Sequence, residues 1–292
     1  MPQFTIAAEN HEQSAEIARA ILETAEREPV EIGVAGIEPL LVDYVDAASV
    51  ARLREAGARV EDSTLVATVE ATPETVNAAL ALFSDSLLTA RFVDDAGTAM
   101  FERSDTNAES CRVTPSEYER LCETLPFELA TALRPLGESA PTERFGSLET
   151  DQLEAYSIEK ASPSASLSIP SALQVLLEQS ERDAETIELV GSGPLLDRVD
   201  AESVATIVDA GATRDEFRLV GTVPATSETV AAVLELLTDA LFELVVRDEI
   251  GQPLFVREQP GLEYCYLTAS ASDRVVEALN SAAIEPDQYA PK

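Results

Sequence analysis

Tryptophan is absent from this 292-residue chain, histidine occurs once, at His11, and lysine twice, at Lys160 and Lys292. One histidine cannot build a histidine-rich metal cluster. It also leaves Ser-His-Asp or Cys-His catalysis to recruit its base from outside the body of the chain. Three cysteines, Cys111, Cys122 and Cys265, are too few for a disulfide framework. No apolar run approaches the ~18 residues of a membrane-spanning helix. The segment MPQFTIAAENHEQ lacks the basic-then-apolar order of a secretory signal. The expected location is therefore the cytoplasm, with no membrane partner.

Basic charge is what the chain lacks most: 20 Lys and Arg stand against 54 Asp and Glu, for a net charge of −34. Binding to a phosphate backbone needs clustered cations, so direct nucleic-acid binding is not expected. The acids run through every expected helix and loop rather than forming a tail. Such self-repulsion opposes the compact state in dilute salt, but at molar salt the Debye length falls to about 3 Å. The composition therefore reads as solvent adaptation in an extreme halophile, an archaeon, and not as a signal for a basic partner.

What the chain does have is the same pattern twice. Displaced by 154 residues, Val45–Leu82 overlies Val199–Leu236 without a gap, and 21 of the 38 positions are identical. Upstream, with one residue of slippage near Pro39 and Pro194, ILETAERE overlies LLEQSERD. Downstream, Cys111 meets Cys265 and Leu125 meets Leu279. Each repeat opens with an amphipathic helix, Ile17, Ala18, Ile21 and Leu22 in one and Ala172, Leu173, Leu176 and Leu177 in the other. A short strand follows, then helices that Asp46 and Asp200 cap and that stop at Gly57 and Gly211. The β-branched strands STLVATV and FRLVGTV come next. Thr72 and Thr226 cap a third helix. Hairpins turn at Gly97 and Gly251, and a strand at Cys111 or Cys265 leads to a closing helix.

This alternation predicts two tandem α/β sandwich domains related by internal duplication, each with helices covering a sheet of mixed strand direction. The expected boundaries are 1–125 and 168–292. Residues 126–167 would be a linker holding a helix in PFELATALRPL and a flexible connector in SIEKASPSASLS. Two equivalent domains in one chain suggest a pseudo-twofold arrangement, a fused dimer, or a homodimer.

No catalytic or cofactor motif stands out, so the expectation is a protein without cofactor or metal. Gly191-Ser192-Gly193-Pro194 lacks the spacing of a phosphate loop and reads as a turn. Cys111, Cys122 and Cys265 alternate with apolar neighbours and read as buried small hydrophobes. Asp94 and Asp248 suit local hydrogen bonding in hairpin turns.

The polar pair of most interest is Arg103 and Arg257, each two residues after a shared phenylalanine. A guanidinium kept in both copies can hold a carboxylate or phosphate in bidentate fashion, or it can pair internally with one of the many acids. Arg52, Arg54 and Arg59 belong to the first copy alone, where the second has Thr206, Val208 and Thr213. They are candidates for a partner surface.

The module resembles the effector domains of haloarchaeal TrmB-like and TbsP-type transcriptional regulators. The resemblance rests on VEIGVAG, the capped helix ending in AGARV, the hairpin LLTARFVDDAGTAMF and the closing CRVTPSEYERLCETL. It implies a regulatory, ligand-sensing role. Those regulators carry a winged helix, and this chain has no helix-turn-helix with a basic recognition helix, so a free-standing tandem sensor is the corresponding expectation. The leading function is thus a non-enzymatic regulatory protein binding a small anionic metabolite or a protein partner. An enzyme with dispersed Asp, Glu and Arg residues and a structural scaffold are the alternatives.

Overall fold

A computed structural model describes residues 1–106, 108–136, 153–160, 169–281 and 284–289. The chain divides into two compact units, Met1–Leu136 and Gly137–Lys292. No described helix is long and apolar enough to cross a membrane.

The first unit contains strands β1 (Gln3–Ile6), β2 (Pro29–Ile37), β3 (Arg59–Glu61), β4 (Thr64–Glu70), β5 (Leu87–Asp94), β6 (Ala99–Arg103), β7 (Glu109–Arg112) and β8 (Leu133–Pro135). Its helices are α1 (His11–Thr24), α2 (Glu38–Leu40), α3 (Ala47–Glu55), α4 (Pro73–Ala81), α5 (Pro115–Thr124) and α6 (Phe127–Ala130). The strands form one sheet in the order β3-β4-β2-β5-β6-β7-β1-β8. In the second unit the strands are β9 (Leu153–Lys160), β10 (Ala184–Ser192), β11 (Thr213–Arg214), β12 (Arg218–Pro224), β13 (Leu241–Asp248), β14 (Pro253–Gln259), β15 (Leu262–Thr268) and β16 (Ile284–Tyr289). The helices are α7 (Ile169–Gln179), α8 (Gly193–Asp209), α9 (Ser227–Leu236) and α10 (Ala269–Ser281). Its sheet has the order β11-β12-β10-β13-β14-β15-β9-β16, strand for strand the order of the first.

Every strand pairing is antiparallel, which corrects the expectation of mixed direction. The reason lies in β2. It is sandwiched between β4 and β5, so the helix that links those two carries the chain across an intervening strand. The parallel relation between β4 and β5 is never realised as a hydrogen-bonded pair. Burial alternates along β4, with Leu65, Ala67 and Val69 inward and Val66, Thr68 and Glu70 outward, as a sheet with helices on one face requires.

The helix expected in PFELATALRPL is α6, but parts of the expected linker also pair into the sheets. LRP forms β8, the outermost strand of the first sheet. SIEK lies in β9, which pairs with both β15 and β16. Its apolar and aromatic Leu153, Ala155, Tyr156 and Ile158 suit a strand, a signal that the Ser-rich continuation masks. That continuation, residues 161–168, lies outside the described residues. QFTI, which lacked a counterpart in the repeat alignment, is β1; its Phe4 is fully buried and stacks on Tyr118 at 4.5 Å.

Local signals behave as the sequence implies. Asp46 accepts from the Ala48 amide and Asp200 from the Glu202 amide. Thr72 and Thr226 form reciprocal capping boxes with Thr75 and Thr229. Gly57 and Gly211 end their helices at φ +118° and +122°, a region that costs any residue with a Cβ. Between Leu41 and Asp46 the first unit has four residues, whereas Leu196 and Asp200 in the second enclose three. The extra residue is taken up as a π-helical turn, Leu41–Asp46. Here lies the one-residue slippage in the repeat.

Candidate functional site

Arg103 ends β6 directly opposite Glu109 on β7, and Arg257 on β14 faces Glu263 on β15. Both pairs point to the helix-covered side of their sheets, and all four side chains are buried: Arg103 is 1% exposed and Arg257 3%. Arg103 Nη1 lies 3.3 Å from Glu109 Oε1, and Arg257 Nε 3.1 Å from Glu263 Oε1. Each guanidinium also donates to a carbonyl in the turn after the preceding helix, Ser84 O at 3.0 Å and Thr238 O at 2.9 Å. Arg103 lies over the Phe83 ring, 5.7 Å from its centroid. The two arginines thus fasten turn to sheet. Their donor groups are directed at internal acceptors rather than at a cleft.

The units differ in what lies beyond each guanidinium. In the second, Arg257 Nη2 approaches Asp239 Oδ1 at 3.5 Å. In the first, His11 stands between the equivalent groups: Nδ1 is 3.2 Å from Arg103 Nη1, and Nε2 is 2.8 Å from Asp85 Oδ1. A guanidinium only donates, so Nδ1 accepts and Nε2–H donates to Asp85. His11 therefore bridges Arg103 and Asp85. Burial pushes the Glu109 carboxyl above its ordinary range, against the opposing pull of Ser14, Arg103 and His11.

A second arginine pair, Arg27 and Arg182, escaped the sequence reading although both stand inside the matched segments ILETAERE and LLEQSERD. Arg27 Nη1 donates to Asp94 Oδ2 at 2.7 Å and Nη2 to Arg112 O at 2.7 Å; Arg182 Nε lies 3.5 Å from Asp248 Oδ2. The aspartates also organise the hairpin tips, Asp94 accepting from Ala96 and Thr98 and Asp248 from Ile250 and Gln252. Burial of Asp94 favours its neutral form, but the Thr98 amide and Arg27 outweigh it, leaving the pKa below the ordinary value.

The cysteines are packing residues. Cys111, Cys122 and Cys265 are all buried, and burial pushes the Cys111 and Cys265 thiols up to about 12, far from thiolate chemistry at neutral pH. The glycine turn is packing too. A Cβ on Gly191 would come within 2.7 Å of Leu196 Cδ1 and 2.8 Å of Ala240 O, and Gly36 is enclosed in the same way by Leu41 and Ser86. Ser192 caps α8 internally.

The sequence-singled arginines Arg52, Arg54 and Arg59 are exposed. Arg54 is tied to Glu38, and Arg59 lies on the short edge strand β3. Arg52 lines a cleft of about 410 Å³ between α3 and α4, formed by Ala48, Ser49, Arg52, Pro73, Glu74, Asn77, Ala78 and Ala81. Six of these eight are exposed, so the cleft is open. Arg19 on α1 reaches its rim and donates to Asn77 Oδ1 at 2.8 Å. Among the described residues Arg19, Arg52, Arg59, Arg91 and Arg112 of the first unit form no ion pair within 4.0 Å, although Arg52 shares its cleft with Glu74, whose carboxyl is held below its ordinary range by backbone and Thr72 hydrogen bonds and by the Arg52 charge. In the second unit Arg182, Arg214, Arg218, Arg247, Arg257 and Arg274 each pair with a carboxylate. In a chain with 54 acids, cations that lie outside ion pairs are the unusual feature.

Comparison of the chain with protein-family models, with curated proteins and with solved structures finds no match.

Proposed function

We propose that this chain is a non-enzymatic regulatory protein, arisen by internal duplication in a halophile, whose first unit binds acidic groups in the cleft between α3 and α4. The observation that carries the reading is the asymmetry at that cleft. Arg52 and Asn77 are Thr206 and Ala231 in the second unit, and Arg19 is Gln174. The polar residues held in common, Arg103 with Arg257 and Arg27 with Arg182, are taken up in fastening each unit. Those that differ stand at the surface, where binding residues are expected. A cleft of this volume is within the range of small-ligand sites, and Arg52 with Arg19 supplies two guanidinium groups for a carboxylate or phosphate. The cytoplasmic setting follows the sequence reading, and the regulator-like role follows the resemblance in sequence pattern.

The test is calorimetric titration of small anions (phosphate, citrate, a sugar phosphate) into the full chain in molar KCl, with Arg52→Ala and Arg103→Met side by side. Arg52→Ala should weaken a detected anion about tenfold or more, the loss of one charge-assisted bond, while folded Arg103→Met should bind as the parent does. Equal affinity of the parent and Arg52→Ala removes the cleft as the site.

A further inference from the structure

The cleft between α3 and α4 holds both signs of charge. The charged residues that line it are Arg52 on α3 and Glu74 in the first turn of α4. Both are exposed. They form no ion pair within 4.0 Å, yet each lies in the other's field. Glu74 is held below its ordinary range by its own backbone amide and by Thr72, and further by the Arg52 charge, so it is ionised at neutral pH. Two opposite charges thus border one space without closing on each other. Asn77 stands beside them. Its Oδ1 accepts from Arg19 at 2.8 Å, which leaves its NH2 group as a donor. Ala48, Ala78, Ala81 and Pro73 make the remaining wall small and apolar, and the Ser49 hydroxyl donates to Asp46.

The charges around the cleft select among ligands. Within one turn of Arg19 on α1 stand Glu16 and Glu23, and within one turn of Arg52 on α3 stands Glu55; all three are exposed. Together with Glu74 these carboxylates oppose a bare anion, and Arg52 opposes a bare cation. A molecule with a carboxylate and an ammonium on one carbon brings no net charge to a chain of −34 and offers each wall its complement. The second unit keeps the glutamate, as Glu228, at the first turn of α9, where it suits the helix dipole. There Arg52 is Thr206, and Glu202 and Glu235 replace Ala48 and Ala81. The first unit therefore departs by gaining a cation and losing two acids beside a glutamate that both units hold.

We propose that the ligand of this cleft is a small α-amino acid with an apolar side chain. Arg52 and the Asn77 amide would hold its carboxylate, Glu74 its ammonium, and Ala78 and Ala81 its side chain. This rests on the reading of the cleft as a site for acidic groups and narrows it from anions to zwitterions. The volume of about 410 Å³ lies at the small end of ligand sites. In an open cleft at molar salt a single exposed ion pair is worth little, so recognition requires both contacts in one ligand.

Calorimetric titration of the full chain in molar KCl with L-alanine and L-leucine, and with their N-acetyl and methyl-ester derivatives, tests this. The N-acetyl form keeps only the carboxylate, and the ester only the ammonium. The free amino acid should bind about fivefold or more tighter than either derivative. Arg52→Ala should weaken the free amino acid and the N-acetyl form alike. Glu74→Gln should weaken the free amino acid but leave the N-acetyl form equal or tighter, since a repulsive charge is gone. Glu74→Asp keeps the charge in the first turn of α4 and should retain the preference for the free amino acid. The derivative series needs no variant, so it remains decisive if Glu74→Gln fails to fold. An N-acetyl form that binds as tightly as the free amino acid, or a free amino acid indifferent to folded Glu74→Gln, overturns the zwitterion and leaves the cleft as an anion site. Binding of phosphate or citrate that needs Arg52, with no binding of either amino acid, does the same. Amino-acid binding that survives Arg52→Ala rejects the cleft itself, as does the absence of binding by every one of these probes.

Discussion

Replacing Arg103 with methionine is the most direct challenge to the view that the repeated arginines hold the fold rather than a ligand. Methionine keeps an unbranched stem against Phe83 and removes only the guanidinium. Three acceptors then lose their donor: Glu109 Oε1 at 3.3 Å, Ser84 O at 3.0 Å and His11 Nδ1 at 3.2 Å. The Glu109 side chain is 5% exposed, and a buried ion pair broken from one side costs on the order of 3–5 kcal/mol, because the remaining charge is left without compensation. The sign with pH follows from Glu109. Burial already raises its pKa, and loss of Arg103 removes one of the influences that lower it. A raised carboxyl pKa means that ionisation penalises the folded state. The penalty is absent below the ordinary value near 4.5, where folded and unfolded chains are both protonated, and it grows as pH rises through the window above that value. The deficit of Arg103→Met should therefore shrink as pH is lowered from 7 towards 5, by up to about 1.4 kcal/mol per unit while Glu109 takes up its proton. Denaturant unfolding in molar KCl, followed by circular dichroism at several pH values, reads both quantities. Because the pair is buried, the deficit should hold between about 0.5 and 3 M salt, unlike that of the exposed Arg120–Glu26 pair. A deficit under about 1 kcal/mol, or one that grows as pH falls, refutes the assignment of Arg103 as a structural pin.

Three further outcomes are expected. Cys111 and Cys265, buried and with pKa pushed up to about 12, should react with a thiol reagent at pH 8 only as fast as the chain unfolds; rapid labelling of the native protein contradicts their role in the core. Gly191→Ala should destabilise the second unit by about 1–3 kcal/mol, since the new methyl meets the Ala240 carbonyl as well as Leu196. A melting curve equal to the parent's would show that the strand can yield there. With a net charge of −34, the midpoint of thermal unfolding should fall when salt is lowered from about 3 M to 0.1 M, as the Debye length grows from under 3 Å to about 10 Å. A midpoint independent of salt removes the halophile reading of the composition.

Much of the fold was legible because its signals are local. Asp46, Thr72, Gly57 and Gly97 each fix a cap or a turn through their own backbone and the next few residues, and each stands where the sequence places it. Strand direction was not legible, since it depends on β2 inserting between β4 and β5, a pairing between segments dozens of residues apart. The outer strands were lost for a different reason. QFTI, LRP and LEAYSIEK lie outside the window of strong identity, and the last lacks a period-2 pattern and runs into a Ser-rich stretch, so composition outweighed it. Arg27 and Arg182 were in view in the matched helices, but their partners Asp94 and Asp248 are 67 and 66 residues away, assigned to turns on a local argument that is correct and incomplete.

The same comparison explains why shared residues gave no direct access to function. A guanidinium that keeps its place in both copies does so here because each sheet must tie itself to the turn after its helix, and Ser84 and Thr238 supply that carbonyl through the backbone whatever their side chains. Retention between the two units therefore marks what either needs in order to fold, and departure marks where they are free to differ. At His11, an inserted imidazole lengthens the bridge from Arg103 to Asp85 without changing its ends, so that departure is absorbed. Across α3 and α4 the change is absorbed only in part: Arg52 forms no ion pair within 4.0 Å, and Glu74, in the same cleft, feels its charge from a distance. At high salt so exposed a contact with Glu74 is worth little, and the Arg52 guanidinium keeps donors for a carboxylate or phosphate that arrives from outside the unit.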